Sequence, residues 1–275
     1  MKMEKFIQNN LLLGRLCEGA EKISGGQHPM FKGSVVTKDG ETEAYIKNCS
    51  KFSVVFTEVI VALIGRMYDL PIPCPIIIKL DPDHPDIAVA KTTYLFASKA
   101  QIAPNFERFL RNFDEKEQII LEHKDINKII TFDELVANPD RTGGNILYDG
   151  TDIQLIDHEY CFHEKQNPMD SISDLCKTEN LADVYRYHKG HNDVTVSKTM
   201  KNIRSYIKSQ IDTTTNDSLD AISSINFLGI DYNKRVEFVR NFILTRLPVL
   251  GVLIEASISN NKEDDDLLSQ GGGYV

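Results

Sequence analysis

The spacing of apolar positions predicts a hairpin and then a helix in the first part of the chain. Residues 34–37 and 43–47 are predicted as strands on either side of Asp39-Gly40, because an Asp-Gly pair between two such runs favours a tight turn. Residues 53–68 carry apolar side chains at helical spacing. A Leu-Pro-Ile-Pro run over residues 70–73 ends this helix, because proline cannot continue it.

Two more strands are predicted before the pattern changes. Residues 75–80 form a continuous apolar run that is typical of a buried strand. Residues 87–96 are predicted as another strand, which follows a polar turn rich in proline and aspartate. The first 97 residues are therefore expected to form a strand-rich lobe.

Helical spacing dominates after residue 100. Helices are expected over residues 106–113, 115–124 and 125–137, and over most of residues 171–258. The last of these helices contains Pro248, which is expected to kink or break it. A second Asp-Gly pair, Asp149-Gly150, predicts a small hairpin in which residues 145–148 pair with residues 153–157.

These patterns predict an α+β fold in which a strand-rich lobe precedes a mostly helical one. The boundaries are expected at residues 1–97 for the first lobe and 98–259 for the second. Residues 260–275 combine an acidic run with a glycine-rich end, and we expect them to form a flexible tail.

Charge and cysteine content narrow the class of protein. The chain has 275 residues and a net charge of −9, so we do not expect it to bind nucleic acid, although a small cationic pocket for a nucleotide is compatible with this charge. The five cysteines are scattered and form no Cys-x-x-Cys pair, which is typical of reduced thiols in a cytoplasmic protein. The apolar runs are too short for a signal sequence or a membrane span, so no membrane association is expected.

The candidate chemistry lies around the second hairpin. Asp140 precedes Asn145 by five residues, and Asp157 follows Asn145 by twelve at the end of an apolar strand. Phosphoryl transfer needs one carboxylate to accept the proton of the attacking hydroxyl, and an Asn and a second carboxylate to hold magnesium. A polar turn is the alternative for each residue alone, but the hairpin can bring Asn145 and Asp157 to one edge, with Asp140 nearby.

The first lobe offers residues that could contact the phosphates of a nucleotide. Lys47 ends a predicted strand, and Glu58 lies eleven residues later in an otherwise apolar helix, where a carboxylate needs a partner. A solvated strand end and an exposed helix face are the alternatives for these two residues. Gly25 and Gly26 could let backbone amides approach phosphates, but a plain turn explains them equally well.

Along the chain the order is Gly25-Gly26, Lys47, Glu58, the Asp140–Asn145 segment and Asp157. This order of motifs resembles that of the HipA-like branch of the protein-kinase-like superfamily, over about residues 15–165. The resemblance implies a bilobal kinase fold, with ATP and Mg²⁺ bound between the lobes. It implies that Lys47 contacts the ATP phosphates, with Glu58 as its partner, and that Gly25 and Gly26 cover them. Further roles follow from the same resemblance: Asp140 as catalytic base, Asn145 and Asp157 as magnesium ligands, and adenine near residues 94–98. His158 either orients Asp157 or is an ordinary core histidine.

We therefore expect an ATP- and Mg-dependent phosphotransferase that acts on a hydroxyl group. The resemblance favours Ser or Thr of a protein as acceptor, and it raises an antitoxin-like protein as a partner. Thr142 stands where phosphoinositide kinases usually have histidine, so the acceptor class is the open point. The alternatives are a kinase-like module that binds a nucleotide or partner without turnover, and a kinase of small molecules or lipids.

Overall fold

A computed structural model describes residues 2–24, 27–49, 51–112, 116–175, 180–212, 215–217, 219–220 and 233–259. Within these residues the chain has the predicted α+β fold, strand-rich up to Lys99 and mostly helical after it. Gly25, Gly26 and the acidic tail over residues 260–275 lie outside the described residues.

Six strands form the sheet of the first lobe. They are β1 (Leu12–Leu16), β2 (Glu21–Ile23), β3 (Met30–Thr37), β4 (Gly40–Lys47), β5 (Pro75–Leu80) and β6 (Thr93–Lys99). Their order is β1-β5-β6-β4-β3-β2, and β1 also pairs with β3, so the sheet curls until five of its strands close on one another. Strands β1 and β5 are parallel, and the other pairs are antiparallel.

The first hairpin is confirmed, whereas one predicted strand is displaced. Thr37 pairs with Gly40 at the turn, where Gly40 has a φ of 105° that glycine adopts without strain. The strand predicted over residues 87–96 begins only at Thr93 and runs on to Lys99. Ile87 and Val89 are apolar because they pack against the core of the sheet, not because they belong to a strand.

The sequence pattern missed the first elements of the chain. Helix α1 (Lys2–Asn10) precedes β1, and its Asn10 Oδ1 accepts a hydrogen bond from Arg66 Nε at 2.8 Å. Gly14 interrupts the apolar alternation of β1, yet it fits there because any larger side chain would clash with Val35 of the neighbouring strand. Close packing therefore forms a strand that periodicity does not indicate.

Helix α2 (Phe52–Met67) packs between the sheet and the second lobe. Eight successive residues, from Val55 to Ala62, are all buried. On the sheet side α2 shares a hydrophobic cluster with Ile77 and Phe96, and on the other side with the helices of the second lobe. A helix buried on all sides is apolar all round, which makes the one carboxylate in its middle, Glu58, conspicuous.

The second lobe contains a small hairpin among helices. Its elements are α3 (Phe106–Phe109), α4 (Lys116–Leu121), α5 (Ile126–Val136), β7 (Ile146–Tyr148), β8 (Ile153–Leu155), α6 (Ile172–Leu175), α7 (Leu181–Lys189), α8 (Asp193–Tyr206), α9 (Asn233–Arg246) and α10 (Leu250–Ile258). Strands β7 and β8 pair across Asp149-Gly150, which confirms the second predicted hairpin. Cys17, Cys49, Cys74 and Cys161 are free thiols, and Cys176 lies outside the described residues.

The last helical segment is broken at Pro248, as the sequence predicted. A 3-10 turn over Leu247–Val249 separates α9 from α10, with Pro248 near its start. By length and composition the segment Asn233–Ile258 is apolar enough to cross a membrane. Core packing accounts for part of this apolarity, since Phe242, Ile243 and Ile254 are buried in the main hydrophobic cluster and α10 packs on α5, α7 and α8, but only 44% of the most apolar stretch is buried.

Candidate active site

Lys47 meets three carboxylates at the end of strand β4. Its Nζ lies 2.5 Å from Glu58 Oε1, 2.8 Å from Asp157 Oδ1 and 3.2 Å from Glu159 Oε2. Burial alone would lower the pKa of this lysine, but the charges of Glu58 and Asp157 raise it above its usual value. Lys47 is therefore a permanent cation, and it joins the sheet to α2 and to the second lobe at one point.

Glu58 uses both of its oxygens inside the fold. Oε1 accepts from Lys47, and Oε2 accepts a hydrogen bond from the backbone amide of His158 at 2.9 Å. Burial would raise the pKa of Glu58, but Lys47 and His158 outweigh it and lower the pKa. The apolar helix around Glu58 thus holds an ionised carboxylate with fixed partners, as the sequence predicted from the cost of an unpaired charge.

The segment after α5 holds Asp140 and Asn145 in contact. Ala137 ends α5 in a left-handed conformation at a φ of 49° and turns the chain back. Asn145 Nδ2 donates to Asp140 Oδ2 at 2.9 Å and to the Asp140 carbonyl at 2.7 Å. Burial raises the pKa of Asp140, the Asn145 hydrogen bond opposes that rise, and the charge of Asp157 adds to it. Asn145 thereby orients the carboxylate that is predicted to be the base.

Arg141 ties this segment to the hairpin. It is fully buried and pairs with Asp133 of α5, with Nε 3.0 Å from Asp133 Oδ2. Its Nη1 donates to the carbonyls of Asn145 and Ile156, each at 2.9 Å. Asn145 and Asp157, which are twelve residues apart, are held close because one guanidinium binds Asn145 and the residue before Asp157.

Asp157 leaves the end of β8 in an unusual backbone conformation. Its φ is 57°, in the left-handed region that aspartate tolerates better than most residues. This turn sends its carboxylate towards Lys47, and the side chain keeps 31% of its surface exposed. The structure therefore brings Lys47, Glu58 and Asp157 into direct contact and links them through Arg141 to the Asp140–Asn145 pair.

Two groups of oxygen atoms near Lys47 are candidates for holding a magnesium ion, and they differ in how well they suit it. Glu58, Asp157 and Glu159 lie close enough to form a metal-binding group, but Lys47 Nζ contacts all three and already supplies the positive charge among them. Asn145 donates through its side-chain NH₂ to Asp140, which leaves its side-chain oxygen, Oδ1, as a neutral donor atom for a metal, and Asp157 is partly exposed. Hard oxygen donors of this kind suit magnesium.

Three residues of the site escaped the sequence analysis. Glu159 and His28 touch each other, with Glu159 Oε2 3.2 Å from His28 Nε2, and Asp133 anchors Arg141. The acid two positions after Asp157 was a usable signal for Glu159. Nothing in the local pattern marks His28, whose partner Glu159 is more than a hundred residues away, or Asp133, which looks like an ordinary acid of a helix.

His158 faces Glu58 rather than Asp157. Its Nδ1 lies 3.6 Å from Glu58 Oε2, and its side chain is 2% exposed. Burial lowers the pKa of this histidine, so the ring is neutral near pH 7. One interpretation of the sequence had His158 orient Asp157, and the other made it an ordinary core histidine. In the structure its contact is with Glu58.

Comparisons with known proteins bear on the family and the fold of the chain. A family profile described as HipA-like kinase matches residues 35–216. Among solved structures, the proinflammatory kinase CtkA of Helicobacter pylori is similar in fold, with a TM-score of 0.56, 12% sequence identity, and coverage of 89% of this chain and 96% of that one. A comparison with curated protein sequences found no match to this chain.

Two further structures are similar to a lesser degree. An N-terminal fragment of LepB from Legionella pneumophila gives a TM-score of 0.48 at 12% identity and covers 90% of this chain and 47% of that one. The PAN3 pseudokinase of Neurospora crassa gives a TM-score of 0.36 at 11% identity and covers 94% and 66%.

Proposed function

Since the chain belongs to the HipA-like kinase family, we propose that it is a phosphotransferase that moves the γ-phosphoryl group of ATP to a hydroxyl group with the help of magnesium. One observation carries the proposal. Lys47 of the first lobe contacts both Glu58 of α2 and Asp157 of the second lobe, and Arg141 holds the Asp140–Asn145 pair beside them.

Each residue has one task in the proposed reaction. Lys47 binds phosphate oxygens of ATP, and Glu58 keeps its ammonium in place. Gly25 and Gly26 cover the phosphates, and the adenine ring lies near residues 94–98. Asn145 and Asp157 hold magnesium, which when bound neutralises charge on the phosphate oxygens.

Asp140 is the proposed base. The acceptor oxygen forms a bond to the γ-phosphorus while the bond from that phosphorus to the β,γ-bridging oxygen breaks, and Asp140 takes the proton of the acceptor. The Asn145 hydrogen bond aims the carboxylate, and a half-buried site raises its pKa and hence its basicity. Positioning and charge, rather than covalent chemistry by the protein, lower the barrier.

Two substitutions test these roles. Asp140→Asn and Asp157→Asn should each abolish magnesium-dependent ATP turnover while the thermal unfolding midpoint stays close to that of the wild type. The exposed Asp83→Asn variant is the matched control, and we expect it to keep full turnover. Wild-type turnover in either site variant would refute the assignment.

The acceptor is proposed from the family rather than from the site. We propose Ser or Thr of a protein, with an antitoxin-like protein as a partner and a cytoplasmic location. Labelled phosphate from ATP should then appear in the protein fraction of a cell extract. Label in small metabolites or lipids would indicate the alternative kinases, and nucleotide-dependent thermal stabilisation without any transfer would indicate a binding module.

A further inference from the structure

Glu159 occupies the centre of the site but has no task in the proposed reaction. A single oxygen, Oε2, lies 3.2 Å from Lys47 Nζ and 3.2 Å from His28 Nε2. The side chain is 7% exposed, so these contacts are shielded from water. One carboxylate therefore connects the strand lysine to the segment that follows Gly25 and Gly26 in sequence.

We propose that Glu159 is an anionic gate, which holds Lys47 and His28 until the phosphates of a nucleotide displace it. The inference rests on the proposed function, because the displacing anion is a nucleoside triphosphate. The gate makes Glu159 a residue that sets nucleotide affinity.

The local backbone structure distinguishes Glu159 from the other two acids around Lys47. Glu58 lies in the buried middle of α2, and its second oxygen is bound to the His158 amide. Asp157 directly follows Ile156, whose carbonyl is bound by Arg141. Glu159 belongs to a turn, with neither helix nor strand around it. The Glu159 carboxylate contacts Lys47 and His28, and phosphate oxygens can take over both contacts when it leaves.

Charge supplies the reason why displacement matters. Three carboxylates, those of Glu58, Asp157 and Glu159, contact the ammonium of Lys47, and the charge of Lys47 also acts on Asp140. A nucleotide adds further negative charge, so a carboxylate that stays at Lys47 both blocks and repels the phosphates. Neutralising one such acid at close range should strengthen nucleotide binding by about tenfold.

The gate is tested by titrating ADP with magnesium into the protein in a calorimeter at fixed ionic strength. We expect Glu159→Gln to lower the dissociation constant about tenfold relative to wild type. Glu159→Asp retains the charge on a shorter side chain and should lower it less; it also serves if the Gln variant does not fold. Glu164→Gln, at an exposed acid five residues on, is the matched control and should not change the affinity.

The His28 contact has its own readout. In a His28→Ala background, Glu159→Gln should improve the affinity for ADP by a smaller factor, because one of the two contacts that hold Glu159 is already missing. Steady-state kinetics should show a lower KM for ATP in Glu159→Gln without a matching rise in kcat.

The outcomes separate the gate from the proposed function. A wild-type protein that binds no nucleotide would overturn both. A wild-type protein that binds ADP, together with a Glu159→Gln variant that binds equally or more weakly, would overturn the gate and leave the phosphotransferase proposal standing.

Discussion

Removing the carboxylate of Asp133 should destabilise the whole protein and release the segment that holds Asp140 and Asn145. Asp133 accepts three hydrogen bonds from Arg141 and one from Asn138, and both charged side chains are essentially buried. Asp133→Ala leaves the guanidinium buried without its counter-charge. Breaking a buried pair in this way costs about 3–5 kcal/mol. In a chain of this size that loss corresponds to a fall in Tm of about 10 °C.

The assay is urea unfolding of wild type, Asp133→Ala and the double variant Asp133→Ala/Arg141→Met. The double variant should be more stable than Asp133→Ala, because it no longer buries a lone charge. It should still fall short of wild type, because the carbonyls of Asn145 and Ile156 each lose a hydrogen bond worth about 1 kcal/mol. A loss below about 1 kcal/mol in Asp133→Ala, or a double variant less stable than the single one, would refute this reasoning.

Two further predictions concern stability elsewhere in the fold. The pKa of Glu58 is lowered from 4.5, so its ionised form stabilises the fold fully above pH 4.5, and this contribution is lost as the pH falls towards about 2. The stability difference between wild type and Glu58→Gln, measured by denaturant unfolding across that range, should therefore shrink with falling pH, and a constant difference would contradict it. Gly65→Ala should cost about 1–3 kcal/mol in denaturant unfolding, because its methyl group would clash with Ile72 and press on the Phe132 ring. The methyl group of Gly251→Ala meets open space in a helix, so this variant should be more stable than wild type by about 0.5–1 kcal/mol. A Gly65→Ala variant more stable than Gly251→Ala would contradict this packing.

Local patterns predicted those parts of the site whose partners lie close in sequence or whose chemistry is conspicuous. The Asp-Gly turn at 149–150 forms the hairpin, which together with Arg141 brings Asn145 and Asp157 to one edge. Glu58 was recognisable because an isolated acid in an apolar helix demands a cation, and Lys47 is that cation.

The remaining site residues depend on tertiary contacts that no local pattern encodes. Asp133 looks like an ordinary helix acid until α5 is buried, and only then does its charge require Arg141 eight residues later. His28 is separated from Glu159 by more than a hundred residues. In the same way, Ile87 and Val89 were taken for a strand because periodicity does not distinguish a residue that pairs within a sheet from one that covers it.

The arrangement of Glu58 indicates which part of the site has to move when a nucleotide enters. Its two oxygens bind Lys47 of the first lobe and the His158 amide of the second, so α2 is already held in place between the lobes. Moving α2 outward would strip a fully buried carboxylate of both partners, which is costly. Moving Glu159 breaks contacts to Lys47 and His28 that incoming phosphates can replace with oxygens of the same kind. The energetically easier path to an open phosphate site is therefore a swing of Glu159, with the Lys47–Glu58 pair and α2 left as they are.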